Sequence, residues 1–533
     1  MNPLIYMGWA SRFDDMPEFN WRIEGMSAKQ RTVCFLVSFL LSPVLIQAQP
    51  GVIDFQIVDS ETKQQIPARI HLWDSTGKFV RPPALPFWHD HFVCNGKVRL
   101  RVPPGDYRFE IERGPEYRIH YGNFRMLPGA RDSKVIPLQR ILDMSEKGWY
   151  AGDLHIHRQV KDVPLLMQAE DLYVAPIITW WNKKSVWSQK ELPAELLQTV
   201  DGKRFMHVLS GEDERDGGAL LYHRMPEIVD ITSGEKHYPS SMDYLIPIRR
   251  IPGVHVDVEK PFWWDTPLWI ASGMVDSIGL LNNHMQRSTM LSNEAWGKPR
   301  DPKRFPGVHG NGRWSQEIYY QILNTGHRIA PSAGSASGVL PNPVGYNRVY
   351  VYCGEDFSWD NWWKNLKAGK VVVTNGPLMR PLVNGKLPGH VFEAAAGESV
   401  NLQATLSLSL QDKVEYLEIV RDGLVIANVP LDEYAKMGGR LPKVEFKESG
   451  WMLIRAVTNN PKTYRLASSG PFYVEIGGRR RISQSSSQFF IDWLKQRQEL
   501  LEIADAQQRQ NVLRYYIGAQ KYWEAVLEAA NAD

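Results

Sequence analysis

The sequence predicts an α/β protein, with strand–helix units around a parallel sheet or barrel, set between two all-β modules and followed by a helical tail. Three observations predict it. Residues 51–140 and 386–477 alternate apolar and polar positions between turn signals; the stretch between them strings short apolar runs between helical segments; and 484–533 carries apolar stripes near period 3.6.

In chain order, the first signal is "MSAKQRTVCFLVSFLLSPVLIQAQP", with a basic start at Lys29 and Arg31, an apolar run from Val33 to Ile46, and Ala48 as the cleavage residue. This pattern predicts a secretory signal peptide over 26–48, with translation starting at Met26 and residues 1–25 lying upstream. The apolar run is shorter than the roughly 20 residues that span a bilayer, and Pro43 interrupts it, so no stable transmembrane span is expected after cleavage. Export to the periplasm or beyond follows. Removal of the segment takes Cys34 with it, and Cys94 and Cys353 make neither a disulfide framework nor a C-x-x-C site.

Residues 51–140 then read as a small antiparallel β-sandwich. In "GKVRLRVPPGDYRFEIERG", Val98, Leu100 and Val102 alternate with charged residues before a Pro-Pro-Gly turn. From about Trp149 the texture becomes "LYVAPIITW", "RFMHVLSG", "ALLYHRM", "IPGVHVDV" and "VDSIGLLNN", which predicts βα units over 147–385. The sites of such folds lie at the carboxyl ends of strands. Beyond "VVVTNGPLMRPLVNG", residues 386–477 return to alternation and read as a second sandwich-like module. The Ser-rich stretch 483–487 caps the tail, where Phe489, Phe490, Trp493, Leu494, Leu500 and Leu501 form its stripes.

A chain of 533 residues is too long for one core. The formal charge of +3 comes from balanced acids and bases without single-sign blocks, which argues against a nucleic-acid partner. The 19 tryptophans suit a large core, and also stacking on a small-molecule or carbohydrate-like substrate.

The candidate chemistry begins in "GWYAGDLHIHRQVKD". Residues i and i+2 of a strand share a face, so His155 and His157 can point at one metal ion, and Asp153 on that face can orient an imidazole from behind. Glu212 follows an apolar strand in "VLSGEDE", His223 ends the next one, and His255 and Asp257 lie in "IPGVHVDV". Together these supply the imidazoles and carboxylates of a hydrolytic metal site. A second H-x-H, His89 and His91, reads as a loop without metal.

"GDLHIH", "SGEDE…LLYH", "GVHVD", "VDSIGLLNN", "PSAGSASG" and "TNGPLMRPLVNG" resemble, in order, the milestones of the polymerase-and-histidinol-phosphatase (PHP) superfamily, and most of all its CehA/McbA-like metallohydrolase branch. The resemblance implies a distorted (β/α)7 barrel, flanked here by the two β-sandwich modules, with two or three divalent ions, commonly Zn, Mn or Fe. It also implies hydrolysis of phosphate esters, carbamates or related esters. The turn "VPPGDYRFEI" is similar to those of carboxypeptidase-regulatory-like or prealbumin-like modules.

By this resemblance His155, His157, Glu212, His223 and His255 are metal ligands. Two motifs depart from it: Thr179-Trp180-Trp181 stands where the family has "TDH", and Gly334-Ser335-Ala336-Ser337 where it has "GSDAH". One family metal position is therefore lost, and one or two ions, Zn foremost, are expected. Three N/O ligands plus water suffice for a catalytic zinc. Asp257, His284 or Asp153 are candidates to replace the lost carboxylate, and His284 and Asp257 are the catalytic candidates, His284 as proton donor. Tyr222, Arg287, Tyr346 and Arg348 are candidates to steady a substrate, with Trp180 and Trp181 reshaping the vacated metal position. The expected function is an exported metal-dependent hydrolase of an ester, carbamate or phosphoester. The alternative is a barrel that has lost catalysis and binds a carbohydrate or cell surface.

Overall fold

The computed structural model describes residues 49–533 except 183, 232 and 233. The signal-peptide and start-site expectations concern residues 1–48 and lie outside the described residues.

Residues 51–138 form two sheets around one core. In the first, Gly51–Asp59 lies between Lys97–Val102 and Arg131–Leu138. The second runs in the order Phe87–Trp88, His91–Cys94, Ala68–Asp74, Gly105–Glu112, His120–Met126. Along Lys97–Val102 the residues alternate between exposed and buried, and Val98, Leu100 and Val102 join Ile53, Phe55, Ile70 and Phe109 inside. The period of two turns every second side chain to the same face, and apolar burial then decides which face meets the other sheet.

The central region corrects the expected fold class. The chain does not build a (β/α)7 barrel: with 38% strand and 20% helix, it is dominated by sheets of mixed direction. Trp149–Gly152, Val174–Trp181 and Arg204–Arg215 run parallel, as do His255–Val258, Ser277–Leu281 and Ala330–Ala333. Between these sets Gly218–His223 pairs antiparallel with both neighbours, and Arg348–Tyr352 is antiparallel to Trp149–Gly152 and to Val371–Thr374. The physical reason is the two-residue link Asp216-Gly217 after Arg215. A parallel crossover needs a dozen or more residues, whereas Asp-Gly closes a hairpin. Ile156 bridges Ile177 on one side and Ser337 on the other, and the sheet closes on itself.

The ladder continues beyond Val371–Thr374, through Leu466–Ser469, into Gly450–Thr458, Val414–Arg421 and Phe472–Ile476. The stretch 386–477 thus shares a sheet with the centre, and one buried apolar cluster joins Ile177 and Val372 to Leu417 and Ile454. A separate sheet of Leu378–Val383, Val400–Ser409 and Arg440–Phe446 covers its other side. The tail forms helices Gln484–Glu499 and Ala506–Glu528, begun by Ser483 and Asp505, whose side chains accept backbone N–H groups of the first turn. Trp523 stacks on Phe490 at 4.5 Å and donates to the carbonyl of Pro267, which holds the tail on the central region. No helix among the described residues is long and apolar enough to cross a membrane.

Candidate metal centre

The strand Trp149–Gly152 continues into an extended segment whose backbone is held from both sides. Leu154 and His157 donate to Ala333 and Ser337, while Ile156 accepts from Ile178. Asp153 is wholly buried and accepts from the backbone N–H groups of His155, Ser335 and Gly345 at 3.0, 3.0 and 2.6 Å. Its carboxylate therefore fixes the loop and does not orient an imidazole, contrary to the sequence expectation. Close approach needs glycine at two places. A Cβ on Gly334 would lie 2.5 Å from the Cβ of His155, and one on Gly211 would lie 2.0 Å from the Trp180 ring.

This framework brings three of the five expected ligands together. His155 Nε2 and His157 Nε2 are 3.0 Å apart, with Glu212 Oε1 3.5 Å from the first and Glu212 Oε2 3.1 Å from the second. One ligand atom from each residue falls within 4.8 Å of the others. His155 and Glu212 are 3% and 4% exposed. Glu259, which the sequence reading passed over, stands behind His155, with Oε1 3.3 Å from Nδ1. The pair lies at ion-pair distance, and neither atom has a hydrogen-bond partner. The other oxygen of Glu259 accepts from Trp263 Nε1 at 3.0 Å and from the Lys260 ammonium.

The electrostatics match a cation. Burial alone depresses the His155 pKa, but Glu212 and Glu259 overcome it and raise it to about 10. Burial opposes ionisation of Glu212, yet the two imidazoles hold its carboxyl well below the usual range. Glu214, two residues further along the same strand face, is pushed up to about 7 by burial and by Glu212. Glu212 and Glu259 thus balance the Lys260 ammonium and a charged His155, and a divalent ion can take the place of the His155 proton beside Glu212. Glu259 beside Nδ1 favours a proton on that nitrogen, so that Nε2 is the nitrogen a metal ion would take on displacing its proton.

The other two expected ligands lie elsewhere. His223 and His255 are cross-strand neighbours at the start of His255–Val258, the opposite end of that strand from Glu259. His255 Nε2 meets Ser277 Oγ at 2.7 Å, His223 Nδ1 meets Ser210 Oγ at 3.2 Å, and both rings pack near Trp363. Burial lowers both pKa values, that of His255 to about 4, so each is a neutral core imidazole.

The catalytic candidates are also reassigned. His284 Nδ1 lies 2.9 Å from the carbonyl of Asn293, and burial together with Lys260 lowers its pKa to about 3. It carries no spare proton near neutral pH and does not fit the role of general acid. Asp257 accepts from the hydroxyls of Ser277 and Ser332, and burial raises it to about 7 against those bonds.

Of the substrate candidates, Trp181 stands edge-on to His157 with ring centres 5.1 Å apart, and register places it opposite Glu212. Trp180 is buried against Gly211 and Tyr222, whose own ring is fully covered. Arg287, Tyr346 and Arg348 line a different cavity of about 60 Å³. There Arg287 is held by Glu110 and Glu112, Arg348 by the carbonyls of Gly345 and Glu170, and Tyr346 by that of Gln286.

A second cluster, His71, Asp90 and His91, also has ligand atoms within 4.8 Å. His89, the sequence neighbour of His91, is not part of it; His71 arrives from the paired strand Ala68–Asp74. Arg69 Nη1 lies 2.9 Å from His71 Nε2, and a guanidinium only donates, so Nε2 accepts and the ring proton sits on Nδ1, 3.4 Å from Asp90. The ring proton of His71 therefore sits on the nitrogen turned toward Asp90.

No protein-family model matches the chain, and no curated protein does. Among solved structures it is similar to the Bacillus anthracis TIE protein, at 17% identity over 21% of this chain and 20% of that one, with a TM-score of 0.14. It is also similar to BcpA, the major pilin subunit of Bacillus cereus (9% identity, 80% and 70% covered, TM-score 0.21), and to a Parabacteroides merdae β-glucuronidase (10%, 78% and 60%, 0.18). The chain spans a fifth of the length of the first, and at such TM-scores none of them bears on fold or function.

Proposed function

We propose that His155, His157 and Glu212 hold one divalent metal ion, and that the chain is an exported metal-dependent hydrolase of an ester, carbamate or phosphoester bond. The observation that carries this reading is the convergence of two imidazole nitrogens and a carboxylate oxygen within 4.8 Å in a buried site. The two-nitrogen, one-carboxylate set favours zinc and admits manganese or iron. A bound divalent ion supplies Lewis acidity, which lowers the pKa of water from about 16 toward about 7.

The chain's own residues do the rest. Glu259 fixes the tautomer of His155, and Trp263 and Lys260 hold Glu259 in place. Trp181 walls the side of His157 and offers a flat face to a substrate. Glu214, beside Glu212 on the same strand face, is the carboxyl placed to exchange a proton with water or a leaving group. The near-complete burial of His155 and Glu212 supports a second reading, in which the ion only stabilises a protein that binds a carbohydrate or cell surface.

Elemental analysis of purified protein after zinc or manganese supplementation tests the site. About one equivalent of metal, lost in His155→Ala and Glu212→Ala, is expected; less than about half an equivalent in the unsubstituted protein refutes the reading. Turnover of nitrophenyl phosphate, carboxylate or carbamate esters by the metal-loaded protein then distinguishes a hydrolase from a binding protein. Loss of that turnover in Glu214→Gln, by about 10²–10⁴-fold with metal content unchanged, assigns the proton transfer to Glu214.

A further inference from the structure

A second site lies at the end of the strand His255–Val258 remote from Glu259. A cavity of about 340 Å³ opens there, with His255 and Trp363 in its wall and five cations around it: Arg224, Arg249, Arg250, Lys364 and Lys367. Two carboxylates answer them. Asp276 takes both Arg249 nitrogens at 2.7 and 2.8 Å and Lys367 at 2.7 Å, and Asp360 takes Arg224. Arg250 and Lys364 meet no carboxylate among the described residues, and the cavity keeps about three positive charges in excess.

Such an excess in a concave site focuses the field on whatever enters it. His255 adds no charge of its own: burial keeps it neutral, and although Asp276 favours its charged form, Lys367, Arg249 and Arg224 oppose it. The volume is at the small end of ligand cavities. A carboxylate monoanion would leave most of the excess uncancelled, whereas a phosphate group carries roughly −1.5 to −2 and accepts from several donors at once. Arg250 and Lys364 approach from separate segments, which suits an anion with oxygens on more than one side.

We propose that this cavity binds a phosphate group, free or as a small monoester, with Arg250 and Lys364 as its principal contacts. The site is independent of the metal centre and does not rest on the hydrolase reading.

Calorimetric titration of inorganic phosphate into the metal-free full-length chain, at fixed ionic strength, tests it. Saturable binding to one site is expected, weakened at least about tenfold in the Arg250→Ala/Lys364→Ala variant, in which both replaced side chains are exposed. Heat no greater than that of chloride at the same ionic strength, or binding undiminished in the variant, overturns the proposal. Phosphate binding unchanged in His155→Ala supports it; parallel loss there places the phosphate at the metal centre and overturns it. Phenyl phosphate titrated alongside identifies the source, since tighter binding than inorganic phosphate assigns an ester and weaker binding the free ion.

Discussion

Replacing Glu259 by glutamine probes the proposed metal centre without touching a proposed ligand. The substitution keeps the volume, and the amide oxygen can still face His155 Nδ1, but the negative charge 3.3 Å from that nitrogen is removed. For two full charges at that distance and an effective dielectric of about 20, the interaction is about 5 kcal/mol. A neutral imidazole presents only a polarised N–H, so the metal should feel a fraction of this. A 10–100-fold loss of affinity, or about 1.4–2.7 kcal/mol, is expected from loss of a carboxylate behind a ligating histidine. A second effect has a separate readout. Lys260 is 3% exposed and loses its carboxylate, so the metal-free protein should be destabilised by up to about 3–5 kcal/mol and melt at a lower temperature. Competition against a chromophoric chelator measures the affinity, and thermal unfolding of metal-free protein measures the stability. A lower melting temperature with metal affinity unchanged within about twofold would refute the orienting role and leave Glu259 as a structural ion-pair partner only.

Two further outcomes follow from the same geometry. Gly211→Ala drives a Cβ to 2.0 Å from the Trp180 ring, so the ring or the strand bearing Glu212 must shift; a stability loss of about 1–3 kcal/mol with weakened metal binding is expected, and denaturant unfolding with metal analysis checks both. Asp257 is raised to about 7 by burial, so its folded state holds the proton more tightly than the unfolded chain. Its contribution is fully present below about pH 4 and is lost as pH climbs through about 7, a slope that Asp257→Asn should remove from a plot of melting temperature against pH.

The legible part of the site is the part set by local geometry. His155 and His157 share a face because a strand alternates, and Glu212 stands at the end of an apolar run, so both could be read without knowing which strands pair. His255 and Glu259 mark the limit. They occupy the same short segment, four residues apart, and which of them faces the centre depends on where the strand begins and ends, which pairing with Gly218–His223 decides. The departure from the expected barrel has a comparable origin: Asp216-Gly217 is a hairpin signal inside a stretch that otherwise alternates strands and helices, and its antiparallel turn reverses the direction that a barrel of parallel strands requires.

Arg287 shows the same limit at longer range. Its carboxylate partners, Glu110 and Glu112, lie 177 and 175 positions away in another module, so no local pattern could show that its charge was already answered. His91 likewise has its clustered imidazole in His71 across a strand pair, not in the neighbouring His89. By itself the sequence determined the alternating β-rich ends, the helical tail and the paired histidines, because each depends on periodicities of two or 3.6 residues within one segment. Tertiary structure alone decided strand direction, the separation of His223 and His255 from His155, and the arrival of Glu259 behind it, because these depend on pairing register and on burial between segments distant in the chain.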